Sequence, residues 1–300
     1  MSALITTHGL TKRYGGRTVV DGLDLRVPEG CVYGFLGPNG AGKTTTMKML
    51  LSLVRPTSGE VRIAGRRMDR STRRGLLSEI GSLIESPPGY GHLTGAENMR
   101  LVQRLLRLDD GQVARAVRTA RLQDHIDRPV RTYSLGMKQR LGIAMALAGE
   151  PRLLVLDEPA NGLDPAGIDE MRRLIRRLTG DGTTVMVSSH LLDEVDRTAD
   201  VLGILGGGRM LFQGTREELF ARSVPDVLVD TFEPERAAAL AGAWGAVLDA
   251  GTVRVPGLGE RETARLVARL VQEGVDLHGV RRETRSLEDV FMDLTREEAL

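Results

Sequence analysis

One group of residues has the types and the spacing needed to hold a nucleoside triphosphate. The spacing is G-x-x-x-x-G-K-T, formed by Gly37, Gly40, Gly42, Lys43 and Thr44. The apolar run 32–36 before it predicts a buried strand, and the run 44–53 after it has helical spacing. Backbone N–H groups of such a loop point at phosphate oxygens, and the helix N-terminus adds a positive dipole end. Lys43 supplies a point charge for the β- and γ-phosphates, and the Thr44 hydroxyl is a ligand for Mg2+.

The alternative is a glycine loop that binds nothing, because 36 of the 300 residues are glycine. Lysine, however, is rare: of the 41 lysines and arginines, only those at positions 12, 43, 48 and 138 are lysine. The ammonium of Lys43 is compact and fits a place in which the guanidinium fork of an arginine would not, and this favours phosphate binding. We therefore predict that the whole loop contacts the nucleotide, including Pro38, Asn39, Ala41 and Thr45.

Two adjacent carboxylates, Asp157 and Glu158, follow an apolar strand predicted from residue 153. A buried parallel strand delivers such residues to the sheet edge at which the phosphate loop lies. Asp157 is then expected to hold Mg2+ through water, opposite Thr44. Glu158 is expected to face the γ-phosphate and to orient or deprotonate the attacking water. The alternative is a strand that ends in a solvated acidic turn, and the Lys43 loop disfavours it.

His190 ends a third apolar run, VMVSSH over 185–190. At a strand end it is predicted to hydrogen-bond the γ-phosphate and to hold the water against Glu158. Taken alone, a structural or surface histidine is the better interpretation. We give that interpretation to the other four histidines, at positions 8, 92, 125 and 278.

Composition limits the class of protein. An apolar content of 41% supports a core that must be aliphatic, because aromatic residues make up only 3%. A net charge of +1 argues against a nucleic-acid partner held by a strong overall field. The single cysteine, Cys31, starts an apolar strand, excludes a disulfide framework and is expected to be buried. We expect neither a signal peptide nor a membrane-spanning segment.

The order of the predicted elements indicates an α/β core interrupted by a helical insertion. Short strands fill 1–30, further strands are expected over 61–64 and 80–84, a helical block fills 95–149, and strands return near 153, 183, 201 and 209. After about residue 223 the order becomes a strand, a helix over 234–243, two strands, a second helix and a strand over 275–281. This order predicts a small α+β unit of ferredoxin-like type. We expect an ATPase domain over 1–222, with a helical subdomain at about 86–150, and an accessory domain over 223–300 closed by a helix at 287–295.

These motifs, together with YSLGMKQR over 133–140, resemble the ATP-binding subunit of an ABC transporter. The resemblance covers about residues 3–222 and implies an antiparallel β subdomain beside the P-loop core. It further implies ATP hydrolysis with Mg2+. The signature segment of the family reads roughly LSGGQ, and Ser134 and Gly136 match it while Leu135 and Met137 depart. Because helix N-termini bind anions, Ser134 and the start of helix 135–148 still make an anion site.

The resemblance implies a head-to-tail dimer, in which the signature helix of one copy completes the phosphate site of the other. Asp164, in NGLDP, matches the contact that crosses this interface. Tyr14 stands where the family stacks an aromatic ring on adenine, although a turn tyrosine beside Gly15-Gly16 is the alternative.

One departure from the family falls at Glu85, where a glutamine usually touches Mg2+ and the water. A carboxylate still ligates Mg2+, but it adds charge near the γ-phosphate. Glu85 with YSLGMKQR resembles the subgroup that exports bacitracin-type and lantibiotic peptides, and the tail SLEDVFMDL resembles daunorubicin-type exporters. The resemblance implies an integral membrane permease docked near 86–100 and a peripheral place at the cytoplasmic face of the membrane.

Three other interpretations compete with this one. A soluble ABC ATPase not coupled to transport stays the main alternative, although such proteins carry two cassettes, long coiled coils or zinc cysteines. A P-loop GTPase or kinase lacks support because no N-K-x-D motif is present. A module that binds ATP without turnover conflicts with Asp157, Glu158 and His190.

Overall fold

The central strands consist mainly of apolar residues, because a strand buried on both faces has no exposed side that needs polar residues. The computed structural model describes residues 2–190, 197–221, 224–283 and 287–296. Its contacts divide the chain into two units, 1–215 and 216–300. The predicted domain boundary at 222 lies seven residues further on, and residues 222–223 are outside the described part.

The main sheet of the larger unit contains β4 (Val32–Leu36), β7 (Ile80–Leu83), β8 (Leu153–Asp157), β9 (Thr184–Ser189), β10 (Val201–Gly206) and β11 (Arg209–Gly214). The strand order is β11-β10-β4-β9-β8-β7, and all neighbours from β10 to β7 are parallel. Every residue of β4, β8 and β9 is buried. The carboxyl ends of β4, β7, β8 and β9 therefore meet at one edge of the sheet.

A second, antiparallel sheet is built by β1 (Ala3–Tyr14), β2 (Arg17–Leu23), β3 (Arg26–Pro28), β5 (Ser58–Ile63) and β6 (Arg66–Arg67). The long strand β1 pairs with β2, β3 and β5. The sequence predicts a strand that includes Ala64, but Ala64 and Gly65 both have positive φ (48° and 74°) and turn the chain into β6. Two left-handed residues in a row are what a tight two-residue hairpin requires.

Six helices of the larger unit are α1 (Lys43–Leu50), α2 (Arg73–Leu77), α3 (Gly95–Leu106), α4 (Asp110–Thr119), α5 (Leu135–Leu147) and α6 (Pro165–Gly180). α3 and α4 each begin with a capping box, from Thr94 to Glu97 and from Asp109 to Gln112. α3, α4 and α5 contact one another, and α5 also packs on β7. This layer confirms the predicted helical insertion, and with the two sheets it confirms the α/β fold class.

The smaller unit consists of α7 (Arg216–Ala221), β12 (Asp226–Thr231), α8 (Pro234–Leu240), β13 (Val247–Asp249), β14 (Thr252–Val255), α9 (Glu260–Gln272), β15 (Leu277–Glu283) and α10 (Leu287–Arg296). The antiparallel sheet has the order β13-β14-β12-β15. Its core includes Val229, Val253 and Leu266, each without solvent exposure. From β12 to β15 the order of elements is β-α-β-β-α-β, that of ferredoxin-like units.

Two predicted elements of this unit differ from the structure. The helix expected over 234–243 ends at Leu240, and a separate 3-10 turn spans Gly242–Trp244 before Gly245 takes a left-handed conformation (φ 74°). The strand expected from residue 275 starts at Leu277, because Val275 instead packs into the core ahead of it. Within the described part of the chain, no helix has the length and apolar character needed to cross a membrane.

Candidate nucleotide site

The phosphate loop lies between β4 and α1, as the sequence predicts. Lys43 is 5% exposed, and its Nζ donates to the carbonyl oxygens of Gly37 (2.7 Å) and Pro38 (3.3 Å). Gly42 has a φ of 102°, and a Cβ there would lie 2.7 Å from the carbonyl oxygen of Val19. The lysine ammonium is therefore held inside the loop, and the backbone at Gly42 leaves no room for a side chain.

Asp157 and Thr44 meet at the sheet edge. The Thr44 hydroxyl donates to Oδ2 of Asp157 at 2.8 Å, and the Ser188 hydroxyl donates to Oδ1 at 2.6 Å. The second contact follows from strand register, since Asp157 of β8 stands opposite Ser188 of β9. A hydroxyl oxygen and a carboxylate oxygen at this separation are the ligand types that Mg2+ prefers. In the described part of the chain no cluster of three His, Cys, Asp or Glu residues could cage a metal alone.

Glu158 is held from three sides. Its backbone N–H donates to the Ser188 hydroxyl at 2.9 Å, its Oε2 lies 2.6 Å from Nδ1 of His190, and its Oε1 lies 3.6 Å from Nζ of Lys43. The backbone of Glu158 is left-handed (φ 47°), a conformation that costs about 1 kcal/mol or more in a residue with a Cβ. The surrounding contacts fix this strained conformation, so the carboxylate occupies one place between a lysine and a histidine.

Glu85 stands two residues beyond β7, the neighbour of β8. Its backbone is also left-handed (φ 65°), and its Oε1 lies 2.5 Å from Nζ of Lys48 on α1. The side chain is 62% exposed. The sequence predicts Mg2+ as the partner of Glu85, whereas in this structure its partner is Lys48.

Ser134, Gly136 and Asp164 lie together, away from the phosphate loop of their own chain. Ser134 caps α5 by accepting from the N–H of Met137 (3.3 Å), and Asp164 caps α6 by accepting from Gly167 (2.8 Å). All three sequence-predicted residues line a cavity of about 590 Å3 that also contains Arg121, Arg140, Arg173 and Arg177. The described lining of this cavity includes none of residues 37–45. Beside Ser134 and Gly136 the lining thus carries four arginines together with the carboxylates of Asp164 and Glu170, and Arg140 pairs with Glu170.

Tyr14 ends β1 opposite Arg17 and is 49% exposed. The Lys12 ammonium lies 4.7 Å from the centre of its ring. The ring therefore carries a cation at one side and remains largely open to solvent.

Two residues of the site have no role that the sequence predicts. From the sequence, Ser188 is only part of a strand and Lys48 only part of a helix. Both act through partners distant in the chain, Asp157 and Glu85, so their roles appear only once the strands and α1 are packed together. The rarity of lysine is the one sequence signal that points to Lys48.

A parallel sheet with a phosphate loop, paired carboxylates and a histidine at its carboxyl edge defines an ATP-hydrolysing cassette domain. A family model described as ABC transporter matches residues 20–161. The chain is 45% identical over 225 residues to the bacitracin transport ATP-binding protein BcrA of Enterococcus faecalis, covering 74% of this chain and 73% of that protein. It is 38% identical over 309 residues to the daunorubicin resistance ATP-binding protein DrrA3 of Streptomyces coeruleorubidus, covering 97% and 95%.

A solved structure described as the ATP-binding subunit of an ABC transporter superposes with a TM-score of 0.66 and 29% identity. The match covers 73% of this chain and 92% of that one. The chain therefore belongs to the ATP-binding subunits of ABC transporters. It is a nucleotide-binding ATPase, and the predicted resemblance to bacitracin-type and daunorubicin-type subunits is confirmed.

Proposed function

We propose that this chain hydrolyses MgATP to power the export of a peptide antibiotic or drug through a separate membrane permease. The observation that carries the proposal is the convergence of Lys43, Thr44, Asp157, Glu158 and His190 at one sheet edge. The names of the two relatives, bacitracin transport and daunorubicin resistance, support the class of cargo. A soluble ATPase that is not coupled to transport is the outcome that would replace this proposal.

The residues take separate roles in hydrolysis. Gly37, Asn39, Gly40, Ala41, Gly42 and Thr45 surround the phosphates with backbone N–H groups, and Pro38, which has no N–H, fixes the loop between them. Lys43 neutralises the β- and γ-phosphates. The Thr44 hydroxyl and Asp157, the latter through water, would hold Mg2+, and the ion would neutralise phosphate charge. Glu158 accepts the proton of the attacking water, and His190 fixes Glu158 from its far side. Tyr14 offers its exposed ring to adenine.

A second copy of the chain completes this site. Ser134 and Gly136 line a surface rich in arginine, and the first N–H groups of α5 lack partners within the helix. This surface suits a γ-phosphate, and because the phosphate loop of the same chain does not reach its lining, the phosphate comes from the other copy. Asp164 lies at the same surface and makes the contact across the interface.

The permease docks on the segment 86–100 and on the remainder of α3, which begins within that segment and ends at Leu106. Four large apolar side chains are exposed here: Tyr90 (60%), Leu101 (41%), Leu105 (82%) and Leu106 (49%). Exposed apolar residues grouped in one segment are typical of an interaction surface. Such docking places the chain at the cytoplasmic face of the membrane as a peripheral subunit.

The test is transport in inverted membrane vesicles that contain this chain and the membrane protein encoded beside it. We expect ATP-dependent accumulation of fluorescent daunorubicin or of labelled bacitracin, and none with Glu158→Gln. Leu105→Glu should lower the amount of chain retained on the vesicles while leaving its ATPase activity intact. Full ATPase activity with no retention and no accumulation of either cargo would indicate the soluble alternative.

A further inference from the structure

Lys48 forms an ion pair with Glu85, and the roles proposed for the nucleotide site do not account for it. The two atoms, Nζ and Oε1, are 2.5 Å apart. Lys48 stands in the last turn of α1, and its side chain is only 26% exposed. Glu85 is far more exposed, at 62%, so Lys48 is the more closely packed member of the pair.

The pair lies next to the atoms that hold Mg2+ in the proposed function. Thr44 and Lys48 are four residues apart on α1, so their side chains share one face of the helix. The Thr44 hydroxyl on that face bonds Asp157, at the end of β8. Glu85 follows β7, and β7 pairs directly with β8, with Leu83 opposite Leu156. The Lys48–Glu85 ion pair therefore links α1 to the segment that follows β7. It lies beside the Thr44–Asp157 contact, which links α1 to the end of β8.

Resting on that proposed function, we propose that Lys48 is a positioning residue for nucleotide binding, which cancels the charge of Glu85 and fixes its carboxylate beside α1. An isolated carboxylate here would repel the triphosphate and compete with it for Mg2+. A Lys–Glu pair has no net charge, so to the incoming nucleotide it resembles a neutral amide more than an acid. Lys48 thus makes a glutamate compatible with a site that otherwise needs a neutral ligand.

If Lys48 has this role, the effects of Lys48→Met and Glu85→Gln on the KM of the full chain for MgATP should not be additive. Lys48→Met should raise KM about threefold to fivefold, because it leaves the carboxylate uncompensated at a partly exposed place. With Glu85→Gln in the background, the same Lys48→Met change should alter KM by less than about twofold, because no charge remains to be cancelled. The KM difference should shrink at high salt, and kcat should change little.

Two controls separate this role from a structural one. Lys48→Arg keeps the charge and should retain a KM near that of the wild type. Arg66→Met removes one member of the Arg66–Glu79 pair, a surface pair remote from the site, and should not alter KM. Thermal unfolding of each variant shows whether a change in KM reflects loss of fold.

The results distinguish this inference from the proposed function. If Lys48→Met raises KM equally in the wild-type background and in the Glu85→Gln background, Lys48 acts on the phosphates or on the fold, and the inference is wrong. If Glu158→Gln keeps wild-type ATPase activity, the catalytic assignment itself fails. A third outcome overturns only the role of Lys48. In that outcome the wild-type chain needs Mg2+ and Glu158→Gln abolishes turnover, but the effects of the substitutions at positions 48 and 85 on KM are additive.

Discussion

Nδ1 of His190 lies 2.6 Å from Oε2 of Glu158, so the imidazole and the carboxylate form one unit. The other carboxylate oxygen lies 3.6 Å from the Lys43 ammonium. Glu158 therefore lies near Lys43 with one oxygen and contacts the histidine with the other. The Glu158 carboxylate is thereby kept from rotating freely, because both of its oxygens and the backbone N–H have partners.

Glu158→Gln should lower kcat for ATP hydrolysis by at least about a hundredfold, since the amide cannot accept a proton from water. Nucleotide affinity should be retained because the Lys43 loop is unchanged, and an ATP-bound dimer should accumulate. Phosphate release and gel filtration in the presence of MgATP measure the two effects. Glu150→Gln, at an exposed glutamate paired with Arg115, is the control and should hydrolyse ATP normally. Turnover at the wild-type rate in Glu158→Gln would remove Glu158 from the mechanism.

Gly42→Ala should abolish nucleotide binding and destabilise the fold. The positive φ of 102° and the 2.7 Å approach to Val19 both oppose a methyl group, and the strain alone costs on the order of 1–3 kcal/mol. Chemical denaturation and binding of a fluorescent ATP analogue check the prediction. Gly180→Ala is the matched control, because Gly180 ends α6 with open space around its Cβ position. Equal behaviour of the two variants would contradict the assigned role of the loop backbone.

Cys31 should resist alkylation in the folded chain and react after unfolding. The thiol is 6% exposed at the start of β4, and burial, with a smaller effect of Asp200, raises its pKa to about 11. At pH 8 only on the order of one thiol in a thousand is then the reactive thiolate. Because the folded pKa exceeds the unfolded value, this group also removes stability as pH rises above about 9. Iodoacetamide labelling with and without urea, followed by mass spectrometry, gives the measurement. Rapid labelling without urea would mean that this strand start opens readily.

The sequence predicts those parts of the site that depend on local pattern. The phosphate loop, Asp157, Glu158 and His190 each follow an apolar strand, and parallel strands bring their carboxyl ends to one edge. Strand register is not local: the contact between Asp157 and Ser188 joins residues that are 31 positions apart. The sequence also gives no sign of the left-handed backbone at Glu85 and Glu158, because a residue with a side chain adopts it only where surrounding contacts hold it.

A substitution at Ser188 tests how much the pairing register of β8 and β9 matters to catalysis. Its hydroxyl accepts from the Glu158 N–H at 2.9 Å and donates to Asp157 Oδ1 at 2.6 Å, and its side chain is fully buried. Ser188→Ala leaves two polar groups unpaired, which should lower the free energy of unfolding by about 1–3 kcal/mol. With its anchor gone, Glu158 should lose part of its fixed position, so kcat should fall, but less than in Glu158→Gln.

Urea denaturation and steady-state hydrolysis measure both quantities for Ser188→Ala. Ser82→Ala is the matched control, since Ser82 is an exposed serine of β7, which lies two strands away from β9 in the same sheet. Adding Ser188→Ala to Glu158→Gln should reduce kcat little further, because the base that Ser188 holds is already gone. If instead the two losses multiply, Ser188 acts through Asp157 and Mg2+ rather than through Glu158, and the Mg2+ concentration needed for half-maximal activity should rise in the single variant.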